Sequence, residues 1–259
     1  MRSLFFSVAV ALSSTAPMAM AAPVDLSGWK VNTVGAPSNA NWVLEVGNNG
    51  VKQTVNGSPT VFFNQGNSQG KALAGTIEVQ TTSDDDFIGF VLGFNDGDFS
   101  NPSADYLIID WKQSTQAFGS WGTALVGLSI SRVSGVLADD SGPWAHDPAR
   151  NVTELARATN LGSTGWANNT EYTFDLVFNS TLVEVFVNGV KELSVGGTFS
   201  DGSFGFYNYS QANVRYAGIE ETVAPPPPPP NVIPLPAALP LLGAGMGVFA
   251  FMGWRRRRA

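Results

Sequence analysis

Three consecutive aspartates, Asp84, Asp85 and Asp86, are the strongest candidates for chemistry in this sequence of 259 residues. Adjacent carboxylates repel one another, so a run of three is costly unless a cation neutralises it. Ca²⁺ takes about six to eight oxygen ligands, several of them carboxylates. Because side chains alternate as the run enters a strand-like segment, we expect at most two of the three to point at one ion. The sequence predicts a calcium site here, although the loop lacks the glycine and terminal glutamate of an EF-hand.

A second acidic loop contains Asp96 and Asp98, which flank Gly97. Asp110, immediately before Trp111 in a strand-like segment, is a further possible ligand. Asp-Gly and Asn-Asp runs also form turns without any metal, and for Asp96 and Asp98 we favour that alternative. The sequence therefore predicts Asp96, Asp98 and Asp110 as secondary candidates for metal ligands.

Aromatic residues are the second group that could do chemistry, since the chain contains seven tryptophans and five tyrosines. Sugars stack their apolar faces on exposed rings, and amphipathic rings suit such interfaces. Trp121, between Gly-Ser and Gly, and Trp144 lie in loop-like sequence and are the predicted sugar-binding residues. For Trp121, a place in the core is an equal alternative, because tryptophan is buried on average. Other tryptophans in strand-like or motif contexts are expected in the core: Trp42, Trp111 and Trp166.

Catalysis would require a different set of residues. Retaining glycosidases hold two carboxyls about 5–5.5 Å apart, a spacing that residues i and i+2 of a strand provide. No E-x-D-x-x-E pattern of that kind occurs in the sequence. The single histidine, His146, precedes Pro148 in a turn-like segment and is expected to cap or pack that turn rather than act as a base. With one histidine and no cysteine, ordinary zinc catalysis is also excluded. The sequence predicts that the protein is not an enzyme.

Period-two alternation indicates the elements that position these residues. In the segment 172–178, Tyr, Phe, Leu and Phe alternate with Thr, Asp and Val, as a strand with one buried face requires. Asn188-Gly189 predicts a type I′ hairpin turn, and Asn56-Gly57 is expected to do the same. Only 152–158 hints at a helix. Further predicted strands cover 41–46, 51–55, 60–63, 75–81, 87–94, 106–112, 125–133, 181–187, 190–193, 203–209 and 214–220. The pattern predicts an all-β domain, a two-sheet sandwich or jelly roll.

The two ends of the chain read as targeting segments. Residues 1–21 combine a positive start at Arg2, an apolar run over 4–12 and small residues before position 22, as in a secretory signal peptide. Residues 237–254 lack charges and are just long enough for a transmembrane helix. The arginines that follow favour a cytoplasmic C-terminus, so the domain would lie on the other side of the membrane.

The tail combines Ile233, Pro234, Leu235, Pro236 and Ala237 with that apolar span and the cluster Arg255, Arg256, Arg257 and Arg258. This combination resembles the PEP-CTERM sorting signals of Gram-negative bacteria, in the variant with a V-P-L-P-A core. The resemblance implies processing by an exosortase near the motif, and a place at the cell surface or in the extracellular matrix. A plain membrane anchor is the alternative, since hydropathy alone does not separate the two.

Between the ends, 22–222 is long enough for one large β domain, and the proline-rich segment 223–232 reads as a stiff linker. The domain contains all 21 acidic residues but nine basic ones, so its net charge is near −12, against −7 for the whole chain. Such a charge disfavours nucleic acid and suits cations. The absence of cysteine means that the domain has no disulfide, and its stability depends on its core or on bound metal.

Three stretches resemble the C-terminal domain of thrombospondins: 41–54, the D-D-D-F-I-G-F segment 84–94, and Trp111-Lys112-Gln113. The pieces 144–148, 165–166 and 171–173 follow in the order of that family. The resemblance implies a concanavalin-like jelly roll of lectin type that binds calcium and serves adhesion. The sequence departs from the family at Asp110, in a longer loop 95–105, and in lacking the terminal cysteine and the preceding calcium repeats.

Taken together, these features predict an exported, calcium-binding, lectin-like domain that binds extracellular polysaccharide or mediates adhesion. Two alternatives stay open: a structural matrix component without a defined ligand, and a carbohydrate-active enzyme on the same fold. The expected partners are an exosortase, polysaccharide and, before processing, the membrane through the C-terminal helix; nucleic acid is not expected.

Overall fold

Alternation of buried and exposed side chains shapes most strands of the protein, whose computed structural model describes residues 21–226. In Leu182–Val187, for example, every second side chain is buried, as expected for a strand with one face on a core. The strands are β1 (Ala22–Pro23), β2 (Lys30–Thr33), β3 (Trp42–Leu44), β4 (Gly50–Gln53), β5 (Thr60–Phe63), β6 (Lys71–Val79), β7 (Phe87–Phe94), β8 (Asp105–Lys112), β9 (Gln116–Ala117), β10 (Thr123–Ala124), β11 (Gly127–Ser134), β12 (Val152–Arg157), β13 (Glu171–Phe178), β14 (Leu182–Val187), β15 (Val190–Gly196), β16 (Ser203–Tyr209) and β17 (Val214–Val223). The helical segments are α1 (Ser141–Ala145) and 3₁₀ turns at Leu26–Gly28, Pro37–Asn39, Asp98–Ser100, Gly119–Trp121 and Pro148–Arg150.

Two large antiparallel sheets form a sandwich. One sheet has the order β15-β14-β13-β6-β17-β4-β3, with β1 added beside β17, and the other has the order β12-β11-β8-β7-β16-β5-β2. A small hairpin of β9 and β10 stands apart from both. The prediction of an all-β, two-sheet sandwich is confirmed.

Both faces of the seven-stranded sheet are covered. Side chains such as Phe90 and Ile109 face the eight-stranded sheet and pack against its Phe174 and Tyr216 in the main core. The other face carries a second core, which includes Phe87, Tyr207 and Tyr209 together with residues of the loops and of α1. Every residue of β7 is therefore buried, which explains its unbroken apolar sequence.

Local sequence signals succeed where the chain reverses within one sheet. Asn188 and Gly189 have φ of 49° and 74°, so the predicted turn between β14 and β15 is confirmed. The same prediction for Asn56-Gly57 is wrong, because β4 and β5 belong to different sheets. Gly57 is needed there for another reason: a Cβ atom would lie 2.3 Å from the carbonyl oxygen of Asn39.

The suggestion of a helix at 152–158 is wrong as well. These residues form β12, an edge strand that pairs with β11 from Val133↔Val152 to Ser129↔Arg157. Hydrogen bonding to a neighbouring strand has overridden the local propensity. The actual helix, α1, precedes this strand and is only one turn long.

Several predictions concern parts of the chain that lie outside the described residues. These are the signal peptide, most of the linker, the predicted transmembrane segment 237–254 and the sorting motif with its arginines. Among residues 21–226, none of the helices has the length and apolar character needed to cross a membrane.

Candidate functional site

The three aspartates that precede β7 form one cluster. A carboxylate oxygen from each of Asp84, Asp85 and Asp86 lies within 4.8 Å of the others. The expectation that only two could point at one site is wrong, because the run precedes the strand and Asp84 has a φ of 80°. The positive φ breaks the alternation of side chains that an extended strand would impose.

A buried lysine already supplies one cation to this cluster. Lys112, at the end of β8, has no exposed surface, and its Nζ donates a hydrogen bond to Asp86 Oδ1. The same Nζ donates to the carbonyl oxygen of Asp85 and to Gln116 Oε1, both at 3.3 Å. Register explains the meeting, because Phe87 of β7 is paired with Lys112. The ammonium thus reduces the repulsion that led us to predict a metal ion.

The remaining oxygens of the cluster are chemically suited to Ca²⁺. Asp84 accepts a hydrogen bond from Asn56 and Asp85 accepts one from Ser114, and both aspartates are accessible to solvent, unlike Asp86. Three carboxylates against one ammonium leave two negative charges when all four groups are ionised. The donor set therefore fits a hard divalent cation on the solvent side, where Asp84 and Asp85 would contribute most of the protein ligands.

Beside the cluster lies an open pocket of about 440 Å³, which we call the acidic–aromatic pocket. Its aromatic wall consists of Phe118, Trp121, Trp144 and Tyr209, and its carboxylates come from Asp84, Asp86 and Asp140. Neighbouring rings along the wall touch: the centroids of Phe118 and Trp121 are 4.9 Å apart, and those of Trp121 and Trp144 are 6.1 Å apart. The fold thus brings residues from both predicted sets, metal ligands and sugar platforms, into one pocket.

The two predicted tryptophans have different environments. Trp121 is partly exposed in the turn between β9 and β10, so its ring is available to a ligand. The expectation that Trp144 is an exposed loop residue is wrong: it is only 4% exposed. It lies on α1 and packs edge-on against Phe87 and Tyr209 in the second core. Its ring forms the inner end of the wall, and within residues 21–226 its Nε1–H has no hydrogen-bond partner.

Burial shifts the pKa of two carboxyls that line the pocket. It raises the pKa of Asp86 to about 6, although the hydrogen bond and charge of Lys112 act in the opposite direction. It also raises the pKa of Asp140, which accepts a hydrogen bond from Ser58 and lies beside Asp139. Both carboxylates would be stabilised by an additional cation.

The other predicted metal ligands have protein partners elsewhere. Asp96 forms an exposed ion pair with Lys30 at 2.9 Å, and Asn32 donates a hydrogen bond to it. Asp98 is buried, where it accepts hydrogen bonds from the Asn95 backbone and from Asn101. These contacts correct the expectation that Asp96 and Asp98 are metal ligands. They agree with the alternative that we favoured, in which these residues form a turn.

Asp110 is likewise engaged, in a buried ionic row on the outer face of the seven-stranded sheet. It accepts a hydrogen bond from Ser129 at 2.8 Å and lies 2.9 Å from Nε2 of His146. Nδ1 of the same imidazole lies 2.9 Å from Glu154, which also contacts Arg157. Asp110 is thus paired with histidine, which corrects its assignment as a metal ligand. His146 caps the C-terminus of α1, as the turn prediction implied. Its ring, however, lies between Asp110 and Glu154.

Sequence reasoning missed Lys112, Asp140, Phe118 and Tyr209. The sequence could have indicated Lys112, because a lysine that ends an otherwise apolar strand needs a nearby acid if it is buried. Asp140 and Tyr209 come from distant parts of the chain, and in the fold Tyr209 Oη donates a hydrogen bond to the carbonyl oxygen of Asp140 at 3.0 Å. No local pattern indicates that contact.

Comparison with known proteins agrees with the fold. The sequence profile of the thrombospondin C-terminal region matches residues 37–223. Thrombospondin-2 of Gallus gallus is 25% identical over 203 residues, which cover 71% of this chain and 16% of that protein. Thrombospondin-3 of Homo sapiens is 25% identical over 208 residues, covering 71% of this chain and 20% of that protein. The chain therefore matches a fifth or less of the length of these relatives.

A solved structure with the same architecture is the carbohydrate-binding module CBM66 from Bacillus subtilis. It superposes with a TM-score of 0.52 and 9% sequence identity, and the match covers 75% of this chain and 94% of the module. At that identity the similarity concerns the fold, a lectin-like sandwich of two sheets.

Proposed function

The chain belongs to the thrombospondin C-terminal region family, and from that premise we propose that its domain binds extracellular polysaccharide through the acidic–aromatic pocket. The observation that carries the proposal is the meeting of a partly exposed aromatic wall with several carboxylates in one open pocket. Ligand sites for small polar molecules commonly combine ring surfaces with a few convergent polar groups.

Each part of the pocket has a role in this proposal. The rings of Phe118 and Trp121 would stack on the apolar faces of sugar units, since Phe118 is 52% exposed. The carboxylates of Asp84 and Asp140 would accept hydrogen bonds from sugar hydroxyls. The unpartnered Nε1–H of Trp144 would donate one in return, which would remove the cost of leaving a buried donor unsatisfied.

The test is a binding titration of the purified domain against a panel of neutral, acidic and amino-containing oligosaccharides. Trp121→Ala should weaken binding about 5- to 140-fold, because a ring–sugar contact of this kind contributes about 1–3 kcal/mol. Leu125→Ala is a matched control: Leu125 is 51% exposed near the same hairpin but does not line the pocket. Equal loss in both variants would contradict a specific role for the pocket.

Calcium belongs to the proposal as the ion held by Asp84, Asp85 and Asp86. Binding to the native state alone adds about 2.7 kcal/mol when free calcium exceeds Kd a hundredfold, so the melting temperature should rise with calcium and fall with chelator. Asp85→Asn should reduce this response, because Asp85 is accessible and its loss leaves the Asp86–Lys112 pair in place. Identical melting curves with calcium and chelator would contradict the calcium site.

The ends of the chain complete the proposal. We expect the signal segment 1–21 to direct export, and the motif from Ile233 to Ala237 to be processed by an exosortase-type enzyme. The domain would then act at the cell surface or in the extracellular matrix of a Gram-negative bacterium. The alternative functions are outcomes of the same binding experiment. Time-dependent release of reducing ends would establish a carbohydrate-active enzyme, and a folded domain that retains no glycan would favour a structural matrix component.

A further inference from the structure

The acidic–aromatic pocket has an uncompensated negative charge. Three aspartates line it, and no basic residue is among its described lining residues. Asp86 is neutralised from behind by Lys112, but Asp140 has no ion-pair partner within residues 21–226. Asp140 is half-buried and accepts a single side-chain hydrogen bond, from Ser58 at 3.0 Å. A carboxylate in this state attracts a cation from solution more strongly than an exposed one does.

Asp140 also lies directly beside the aromatic wall. Its backbone carbonyl accepts hydrogen bonds from Oη of Tyr209 at 3.0 Å and from the backbone N–H of Trp144 at 3.3 Å. Trp144 is the residue whose buried Nε1–H has no partner in the described chain. This unsatisfied donor is independent of the charge argument, and it points to a ligand that carries an acceptor, such as a hydroxyl, next to its cationic group.

The fold itself shows how these residues hold an ammonium. Nζ of Lys112 pairs with Asp86 and lies 4.9 Å from the ring centroid of Trp144 and 5.0 Å from that of Phe87. A carboxylate combined with aromatic faces is a favourable environment for an ammonium group. The pocket is likewise lined by a carboxylate, that of Asp140, and by the rings of Trp121 and Tyr209, and it contains open volume rather than a lysine.

We propose that the pocket selects glycans that carry free amino groups, with Asp140 as the residue that pairs with the ammonium of an amino sugar. The inference rests on the proposed function, because it names the class of sugar bound at the same pocket. An N-acetylated sugar has the same ring and hydroxyls, but its amide is neutral and cannot form the ion pair. Selectivity therefore comes from the charge, and stacking on the aromatic wall is common to both sugars.

The experiment compares two tetrasaccharides with the same linkage, one of glucosamine and one of N-acetylglucosamine, by calorimetry at pH 6 in the presence of chelator. We expect the full chain to bind the glucosamine tetramer about tenfold or more tightly, as a charge-assisted hydrogen bond implies. Asp140→Asn keeps the size of the side chain and an oxygen that can accept the hydrogen bond from Ser58. It should abolish the preference, so that the variant binds both tetramers with equal affinity. Asp175→Asn is the matched control: it removes the same charge from an exposed position of β13, outside the pocket.

Each outcome decides between the two proposals. Equal affinity of the wild type for both tetramers, or a preference that survives Asp140→Asn, would overturn the inference and leave glycan binding intact. If the wild type binds some other glycan but neither tetramer, the inference is also overturned, and the proposed glycan binding stands. If no oligosaccharide of the panel binds, the proposed function fails as well. If Asp140→Asn does not fold, equal affinity of the wild type for the two tetramers still overturns the inference.

Discussion

His146 is the only histidine in the chain, and its imidazole is held between two carboxylates beneath the surface. Burial by itself lowers the pKa of His146, but the charges and hydrogen bonds of Asp110 and Glu154 outweigh it and raise the pKa to about 9. The other charged group in this row is Arg157, which contacts Glu154 at 2.9 Å and stays charged at every accessible pH. Protonated His146 should therefore stabilise the folded domain.

The magnitude and the sign follow from linkage between protonation and folding. A tenfold change in proton affinity corresponds to about 1.4 kcal/mol, so a rise of the pKa from 6.5 to about 9 is worth about 3 kcal/mol at most. Because the folded pKa lies above the unfolded one, this stability is fully present below pH 6.5 and is lost as the pH rises through about 9. With no cysteine and no second histidine, few other groups titrate in this range.

Urea unfolding of wild type and His146→Gln between pH 7 and 9.5 tests this reasoning. The wild type should lose about 2 kcal/mol of unfolding free energy across this range, because part of the full effect is already lost at pH 7. The variant should be less stable at pH 7 and show little pH dependence. NMR of the single imidazole provides a direct check, since only one histidine signal titrates. A midpoint near 6.5, or an equal pH dependence in both proteins, would refute the reasoning.

Other variants test the ionic cluster, a close backbone approach and the ends of the chain. Lys112→Met should destabilise the domain by about 3–5 kcal/mol in the presence of chelator, since it leaves Asp86 buried without its cation. The same variant should show a larger rise of the melting temperature with calcium than the wild type. A calcium response unchanged from wild type would argue against a shared site. Gly165→Ala should lower the free energy of unfolding in urea by about several kcal/mol, because its Cβ would lie 1.8 Å from a backbone carbonyl oxygen. Gly66→Ala is the control: its Cβ would have no atom within 4 Å, so the free energy of unfolding should hardly change. Intact mass of the protein from the cell surface should correspond to a start near Ala22 and an end close to Ile233; a mass that includes the terminal arginines would favour the plain anchor.

The strands and the sandwich were largely predictable from the sequence, because alternation is a local property. Each strand such as β14 must present one face to a core, and its period-two pattern is therefore visible along the chain. The hairpin turn at Asn188-Gly189 was predictable for the same reason, since its positive φ values depend on two adjacent residues. The helix hint at 152–158 failed because pairing with β11, a contact distant in sequence, decided the conformation.

The candidate site was predictable only in part. The run Asp84–Asp86 and the tryptophans Trp121 and Trp144 are chemically conspicuous, so the sequence alone indicated a cation and a sugar platform. Whether they share one pocket depended on how loops that are far apart in the chain fold over the seven-stranded sheet.

Charge balance was decided entirely by the tertiary structure. Composition determines that the domain is acidic, but not which carboxylates are neutralised. Register places Lys112 beside Asp86, packing places His146 between Asp110 and Glu154, and Asp140 is left without a cation among the described residues. Electrostatic interactions depend on distance and burial rather than on sequence separation. The sequence therefore determined the acidic character of the domain, and the fold alone determined which of its carboxylates have a cationic partner.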